Sequence, residues 1–347
     1  MFNQDEMPGR VERFLAAHEP SARNVECTGY EVMTGGYSRL LAKASVDWTV
    51  NGVRRSDMFV LRGDPPVDKQ LIVTDRKQEF DILRTVAAAV PTSTARYIDI
   101  TGEHLGTPAL VIDYLPAHSL LPYMAAHDDN ALLARPLAEA AAAFHNIPLD
   151  HLPGHLERPA SWHQYIGQRT DEWRRTALAH VEDLPIMRYV GAWLDAHRPA
   201  PVALTLIHGD FQSANLMIGD DGRIAVLDWE LAQIGDPRED LGYFKAVAQA
   251  APPDLTALDE AGFCSRYREL TGMNEEQLNP AVIAYFLVLG VVGTVRRLAE
   301  GGAAYARGEN TLLTSVFSMN SLMFGQMMWI QATEQLEAVF AMVEGTN

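Results

Sequence analysis

The chain has 347 residues, with 28 Lys plus Arg against 45 Asp plus Glu, a formal charge of −17. Hydrophobic residues at 48% and charged residues at 21% fit a globular protein and argue against a disordered one. The acidic balance argues against a general nucleic-acid or anionic-lipid binder, because phosphates call for clustered Lys and Arg, although a small phosphate-bearing ligand stays admissible through local geometry and metal ions.

Domains usually run to about 100–200 residues, so the length suggests two domains or lobes. The N-terminal stretch MFNQDEMPGRVERFLAAHEP mixes charges and lacks an apolar signal-peptide core. Cys27 and Cys264 stand far apart in no metal-type spacing, as expected of two ordinary thiols in a reducing compartment. The expectation is a soluble, cytoplasmic chain.

Residues 11–18 predict a short helix. From Asn24 to Leu61, VECTGYEVM, SRLLAKASVDWTV and SDMFVLR alternate or are rich in β-branched residues. Gly35-Gly36 and Asn51-Gly52 punctuate them, and Asn-Gly between apolar runs signals a hairpin, so an antiparallel meander is predicted. In Asp75 to Ala89, Phe80, Leu83, Val86 and Ala87 fall at helical spacing. Strands follow at ARYIDI and PALVIDY, separated by a Gly-rich turn at 101–108.

After Leu115-Pro116 the pattern turns helical, at 128–146, 161–180 and 186–197. Short strand signals TLIHG, ANLMIG and RIAVLDW interrupt it, and helices dominate again from 254. The apolar run Ala281 to Val295 is shorter than the ~20 residues of a membrane span and is followed by Arg296 and Arg297, so a buried core helix is expected. The predicted fold class is α+β: a small antiparallel-sheet N-lobe over 1–113 and a large, mainly helical C-lobe over 114–347. A cleft between two such lobes is a natural ligand site.

The most informative stretch is LIHGDFQSANLMIGDDGRIAVLDWELAQIGDPRED, residues 206–240. His208-Gly209-Asp210 is followed by Asn215 five positions after the Asp, then by an Asp220-Asp221-Gly222 turn and an apolar strand ending at Asp228. A hydroxyl attacking a γ-phosphate must be oriented and must give up a proton, and one carboxylate, Asp210, can serve both needs. Mg²⁺ takes hard oxygen ligands, which Asn215 and Asp228 can supply.

HGDFQSAN resembles the H-G-D-x-x-x-x-N catalytic loop of the aminoglycoside phosphotransferase and choline kinase group, which shares the protein-kinase fold. IAVLDWELAQIGDPRED is similar to that group's metal-binding segment, where Asp-Trp or Asp-Phe replaces D-F-G. The resemblance spans roughly residues 24–330. It implies an ATP- and Mg-dependent kinase acting on a hydroxyl of a small molecule, with Asp210 as the base and Asn215 and Asp228 as metal ligands.

On the same template Gly35, Gly36, Tyr37 and Ser38 cover the nucleotide phosphates, although paired glycines in a hairpin also serve simply as turns. Arg62 stands where most of these kinases carry Lys, a departure shared with a subgroup related to kinase-like domains fused to some acyl-CoA dehydrogenases. Arg62 is expected to grip phosphate oxygens and to pair with Glu79, the alternative being a plain surface pair. Ile112, Asp113, Tyr114 and Leu115 correspond to the adenine-binding hinge, or to a plain edge strand.

His208 is expected to orient the loop, His145 to be structural, and Asp236 and Asp240 to anchor the metal segment or cap a helix. The Met- and aromatic-rich run at 317–329 reads as core more than acceptor groove. Two other functions remain open. A protein kinase is disfavoured by the missing A-P-E segment and long activation loop, and a nucleotide-binding pseudokinase by the presence of base and both metal ligands. The acceptor is open between an aminoglycoside, a hydroxylated acid or its CoA thioester, and an apolar alcohol, as are ATP versus GTP and the oligomeric state; no nucleic-acid or membrane partner is expected.

Overall fold

The computed structural model describes residues 5–33, 39–65, 74–127, 130–179, 186–250, 259–290 and 307–308. The chain divides into two compact units. One comprises Met1–Ala117, His151–Gly154 and Leu227–Leu231; the other comprises His118–Asp150, His155–Val226 and Ala232–Asn347.

In the first unit, helix α1 (Met7–His18) precedes strands β1 (Ala22–Met33), β2 (Leu40–Val50) and β3 (Val53–Gly63), helix α2 (Arg76–Val86), and strands β4 (Ala95–Asp99) and β5 (Ala109–Asp113). The strands form one antiparallel sheet in the order β1-β2-β3-β5-β4. The β2–β3 hairpin closes with Val50 opposite Val53, and Asn51 and Gly52 both take positive φ, 50° and 76°. That is the two-residue turn whose twist matches its strands, and Asn-Gly tolerates it best.

Alternation along β2 sends Ala42, Ala44, Val46, Trp48 and Val50 to one face. With Phe59, Leu61, Ala109 and Val111 they pack against Met7, Val11, Phe14 and Leu15 of α1. Helix α1 begins four residues earlier than the sequence suggests, because Pro8 is tolerated in a first helical turn. Helix α2 is opened by Asp75, whose side chain accepts from the Lys77 and Gln78 amides, and it buries Glu79 among Phe80, Ile82 and Leu83. It ends at Val86; Ala87 to Ala89 continue only as a turn.

In the second unit a two-residue strand β6 (His118–Ser119) leads into α3 (Leu120–Ala126), α4 (Ala134–His145), α5 (Trp162–Ala179) and α6 (Ile186–Ala196). The predicted helix 128–146 starts late, since Asn130–Leu133 form a 3-10 turn. Then come β7 (Thr205–Ile207), β8 (Leu216–Ile218), β9 (Ile224–Val226), β10 (Gln233–Gly235), α7 (Arg238–Ala250) and α8 (Glu260–Thr271). β10 pairs with β7, and β8 pairs with β6 and β9. The sequence reading missed β6, β10 and α3, elements of two, three and seven residues, too short to show a period, and it assigned no helix to the thirteen residues of α7.

Residues 280–290 are helical, and Val282 to Leu289 are buried against Trp162, Trp173, Trp193 and Leu194. The described part of the 281–295 run is therefore a core helix. No described helix is long and apolar enough to cross a membrane. Residues 291–295 and the 317–329 cluster lie outside the described residues.

Candidate active site

Strand β7 delivers the chain into His208-Gly209-Asp210, and a 3-10 turn over Ser213–Asn215 returns it into β8. Gly209 has φ 79°, a backbone state that strains a residue with a Cβ. The reversal places Asn215 against Asp210: its Nδ2 donates to Asp210 Oδ2 at 2.7 Å and to the Asp210 carbonyl at 3.0 Å. Gln212 Nε2 donates to Asp210 Oδ1 at 2.8 Å. Each carboxylate oxygen thus holds an amide donor and keeps lone-pair capacity for a hydroxyl.

Burial pushes the Asp210 carboxyl above the usual range, opposed by hydrogen bonds from Gln212, Tyr243 and Asn215 and by His208 nearby. The Asp210 amide donates to His208 Nδ1 at 3.2 Å, so the buried His208 braces the loop from behind. The turn between β8 and β9 closes through Gly222 N to Gly219 O at 2.9 Å, with Gly222 at φ 76°.

A second network supports the loop. Asp240, buried at the start of α7, accepts from the His208 amide through Oδ2 at 2.7 Å and from the Gly209 amide through Oδ1 at 2.9 Å. His145 Nε2 lies 3.1 Å from Asp240 Oδ2, and its Nδ1 lies 2.7 Å from Tyr267 Oη. Asp236 is bound by Arg238 and by Trp162 Nε1, all buried. Asp240 therefore anchors the loop carrying Asp210, whereas Asp236 locks the turn into α7.

The first unit carries the other predicted residues. Arg62, near the end of β3, pairs through Nε with Glu79 Oε1 of α2 at 2.9 Å. Its Nη2 also bonds Asp228 Oδ1, and Glu230 Oε2 at 2.9 Å. Asp228 takes φ 67°, uncommon for a residue with a side chain and the kind of strain that gathers at functional positions. It follows β9 by two residues in sequence.

Glu230 is the hub the sequence reading overlooked. Its Oε2 accepts from Arg39 Nε at 2.6 Å, Arg62 Nη2 at 2.9 Å and Arg76 Nη2 at 2.9 Å. Asp64 lies 3.0 Å from Arg76 Nε and 3.5 Å from Arg39 Nη1, and Arg76 also bonds Glu79. Burial alone would raise the Glu230 carboxyl, but the Arg62 and Arg39 charges hold it below its usual range. Burial pushes Glu79 up despite Arg62 and Arg76. For Arg62 burial works the other way, yet Glu79, Asp228 and Glu230 together keep its guanidinium more firmly protonated.

Arg62 and Glu79 are thus a buried pair, and three carboxylates engage the guanidinium expected to grip phosphate. At the hinge, Ile112 sits in β5 between Val60 and Ala95. The Asp113 carboxylate is held bidentately by Arg96 Nε at 2.8 and 2.9 Å, so its side chain already has a partner. The Asp113 amide donates to Thr94 O and the Tyr114 amide to Met58 O, each at 2.9 Å, while Leu115 O accepts from Ala117 N at 3.0 Å. Tyr114 lies at the surface with Lys43 Nζ 5.9 Å from its ring centroid. Gly35, Gly36, Tyr37 and Ser38 fall outside the described residues.

The fold is that of the protein-kinase-like phosphotransferases. The chain belongs to the phosphotransferase enzyme family, whose model matches residues 45–273. Among curated proteins it is 28% identical over 175 residues to acyl-CoA dehydrogenase family member 10 of Mus musculus, covering 48% of this chain and 16% of that protein. It is 34% identical over 111 residues to acyl-CoA dehydrogenase family member 11 of Homo sapiens, covering 30% and 14%. The chain therefore matches less than a fifth of either relative's length.

Among solved structures, a choline/ethanolamine kinase family protein from Mesorhizobium loti superposes with a TM-score of 0.60 at 17% identity, covering 96% of this chain and 99% of that one. A thermostable mutant of an aminoglycoside phosphotransferase, in ternary complex with ADP and hygromycin B, gives 0.56 at 16% identity, covering 92% and 97%. At these identities the likeness is one of fold.

Proposed function

We propose that the protein transfers the γ-phosphate of ATP, with Mg²⁺, to a hydroxyl of a small molecule. One observation carries the reading: the Asp210 carboxylate is held by an amide on each oxygen, at 2.7 and 2.8 Å, in a loop braced by Asp240. Asp210 orients the acceptor hydroxyl and takes its proton as the new P–O bond forms and the bond from the γ-phosphorus to the β–γ bridging oxygen breaks, with ADP as the leaving group. Burial that raises its proton affinity suits that task.

The donor chemistry fits a hard cation. Asn215 spends its Nδ2 on Asp210, which leaves its carbonyl oxygen as the ligand, and Asp228 supplies a carboxylate. Among the described residues no group of three or more His, Cys, Asp or Glu is arranged to hold a metal. Mg²⁺ is commonly held by one or two protein oxygens together with substrate phosphates and water. When bound, the metal neutralises charge on the phosphates and on the leaving group. Arg62, fixed by Glu79, keeps a positive charge beside Asp228. Among the described residues the Asp113 and Tyr114 amides donate into the sheet, so the Leu115 N–H is the hinge amide assigned to the nucleobase.

Structural neighbours bound to ADP or GDP support a nucleotide donor, with ATP and GTP to be compared directly. For the acceptor we favour a hydroxylated acid or its CoA thioester over an aminoglycoside, because the sequence relatives carry acyl-CoA dehydrogenase names. The test incubates the purified chain with Mg–ATP or Mg–GTP and panels of 3-hydroxyacyl-CoAs, hydroxy acids and aminoglycosides, following the phosphorylated product. Metal-dependent transfer that is lost in Asp210→Asn supports the reading. Nucleotide binding without transfer to any acceptor, or full transfer by Asp210→Asn, refutes it.

A further inference from the structure

The Asp240 clamp behind the candidate base ends on a side chain that phosphoryl transfer itself does not require. Tyr267 of α8 is fully buried, stacked on Phe263, with Oη 2.7 Å from His145 Nδ1. His145 and Asp240 are also buried, and three nitrogens face the Asp240 carboxylate: the His208 and Gly209 amide N–H groups and His145 Nε2.

Donor and acceptor counting selects one arrangement. A neutral imidazole has one N–H and one bare nitrogen. With the proton on Nδ1, the bare Nε2 would turn its lone pair toward the Asp240 carboxylate, and the Tyr267 hydroxyl proton would lose its acceptor. With the proton on Nε2, Tyr267 O–H donates to Nδ1, Nε2–H donates to Asp240, and each group is paired. Burial and the charges of Asp240 and Asp236 hold the Tyr267 phenol well above its usual range, so it remains a donor. An orphaned buried polar group is costly, which makes the selection strong.

We infer that Tyr267 is a positioning residue of the catalytic loop: by donating to Nδ1 it fixes His145 as the Nε2–H tautomer, which completes the set of donors on Asp240 and holds the two peptide N–H groups that precede Asp210. The chain runs Tyr267, His145, Asp240, then the backbone of His208 and Gly209, joining α8, α4 and α7 to one loop. A carboxylate that loses one of three donors gains freedom to turn, and both amides it grips turn with it.

The effect on turnover rests on the proposed kinase reading; the tautomer and the clamp do not. The test uses the full chain labelled with ¹⁵N at histidine and glycine. In the wild type, His145 is expected to show protonated Nε2 and bare Nδ1. Tyr267→Phe keeps the ring against Phe263 and removes only the hydroxyl, and it is expected to change the His145 protonation pattern and to shift the Gly209 and His208 amide resonances. With the acceptor found above, Tyr267→Phe lowers kcat by about ten-fold, since small misplacements of a reacting group are costly, and leaves the nucleotide KM in place.

His145→Gln offers Asp240 an amide N–H with no tautomer to select, so adding Tyr267→Phe to it changes neither the Gly209 amide nor kcat further. An imidazolium or an Nδ1–H form in the wild type overturns the inference, as does a Gly209 amide unmoved by Tyr267→Phe. Spectra as expected in a protein that transfers no phosphate uphold the clamp and reject the kinase reading.

Discussion

Replacing Glu230 with Gln tests the charge network of the sheet unit. Glu230 Oε2 accepts from three guanidiniums at 2.6, 2.9 and 2.9 Å, and its side chain is only 6% exposed. Gln keeps the shape and one carbonyl acceptor but removes the charge. Breaking a buried pair by deleting one partner costs about 3–5 kcal/mol. Two features offset part of that. Asp64, Glu79, Asp228 and Glu230 outnumber Arg39, Arg62 and Arg76 by one charge, so the change balances the set. The retained carbonyl also still accepts.

A net loss of about 2–3 kcal/mol is expected, and with a urea m-value of about 2–3 kcal/mol/M it lowers the midpoint by roughly 1 M. Urea unfolding followed by tryptophan fluorescence measures it, and Arg39→Met with the double variant supplies the coupling, expected at about 1–3 kcal/mol. An unchanged or raised midpoint, or additive single variants, would show that the three-guanidinium hub contributes nothing to folding.

Asp210→Asn is expected to reduce transfer by about 10²–10⁴-fold while nucleotide affinity, measured by calorimetry, stays within a few-fold. Gly52→Ala meets no atom within 4 Å, so its cost is backbone strain alone at φ 76°, about 1 kcal/mol by urea unfolding. Cys264 is buried with its thiol pushed up to about 11, first by burial and then by Glu260, whereas Cys27 is only half-buried. The native protein at pH 8 is therefore expected to release one equivalent of thiol to Ellman's reagent quickly and the second only on unfolding; two equally fast thiols would contradict the packing of Cys264. Trp162→Phe removes the donor 2.6 Å from Asp236 Oδ2 and is expected to destabilise by about 1–3 kcal/mol in the same assay.

Legibility in the sequence followed sequence distance. The Asn51-Gly52 hairpin, the α2 helix and the Asp210–Asn215 contact are local, so turn chemistry, period and spacing expose them. The Arg62–Glu79 pair was reachable because a strand and the helix after it keep a regular order. Glu230 was not, for its bonds to Arg39, Arg62 and Arg76 bridge 191, 168 and 154 residues. Its residue type alone does not distinguish it from any acidic residue in a turn. Tyr267 stayed hidden for the same reason, 122 residues from His145 in an ordinary amphipathic helix. A signal did exist for Glu230: it lies two residues beyond Asp228 in an otherwise buried segment, and a buried carboxylate demands cations.

That hub accounts for the Arg at position 62. A Lys carries one compact ammonium, which suits a single carboxylate partner plus a phosphate. Here the residue faces three carboxylates at once: Glu79 at its Nε, and Asp228 and Glu230 at its Nη2. A planar fork serves that fan, since Nη2 hydrogen-bonds Asp228 and Glu230 while Nε stays within ion-pair distance of Glu79, without moving the charge. The presence of Glu230 therefore changes what position 62 must do, and Arg follows from it. Arg62→Lys is then more than a restoration of the commoner residue. It is expected to leave Glu79 or Glu230 short of a donor and to destabilise the unit by about 1–3 kcal/mol. Arg62→Lys combined with Glu230→Gln is expected to recover part of that loss, because the second change removes the carboxylate that the shorter cation fails to reach.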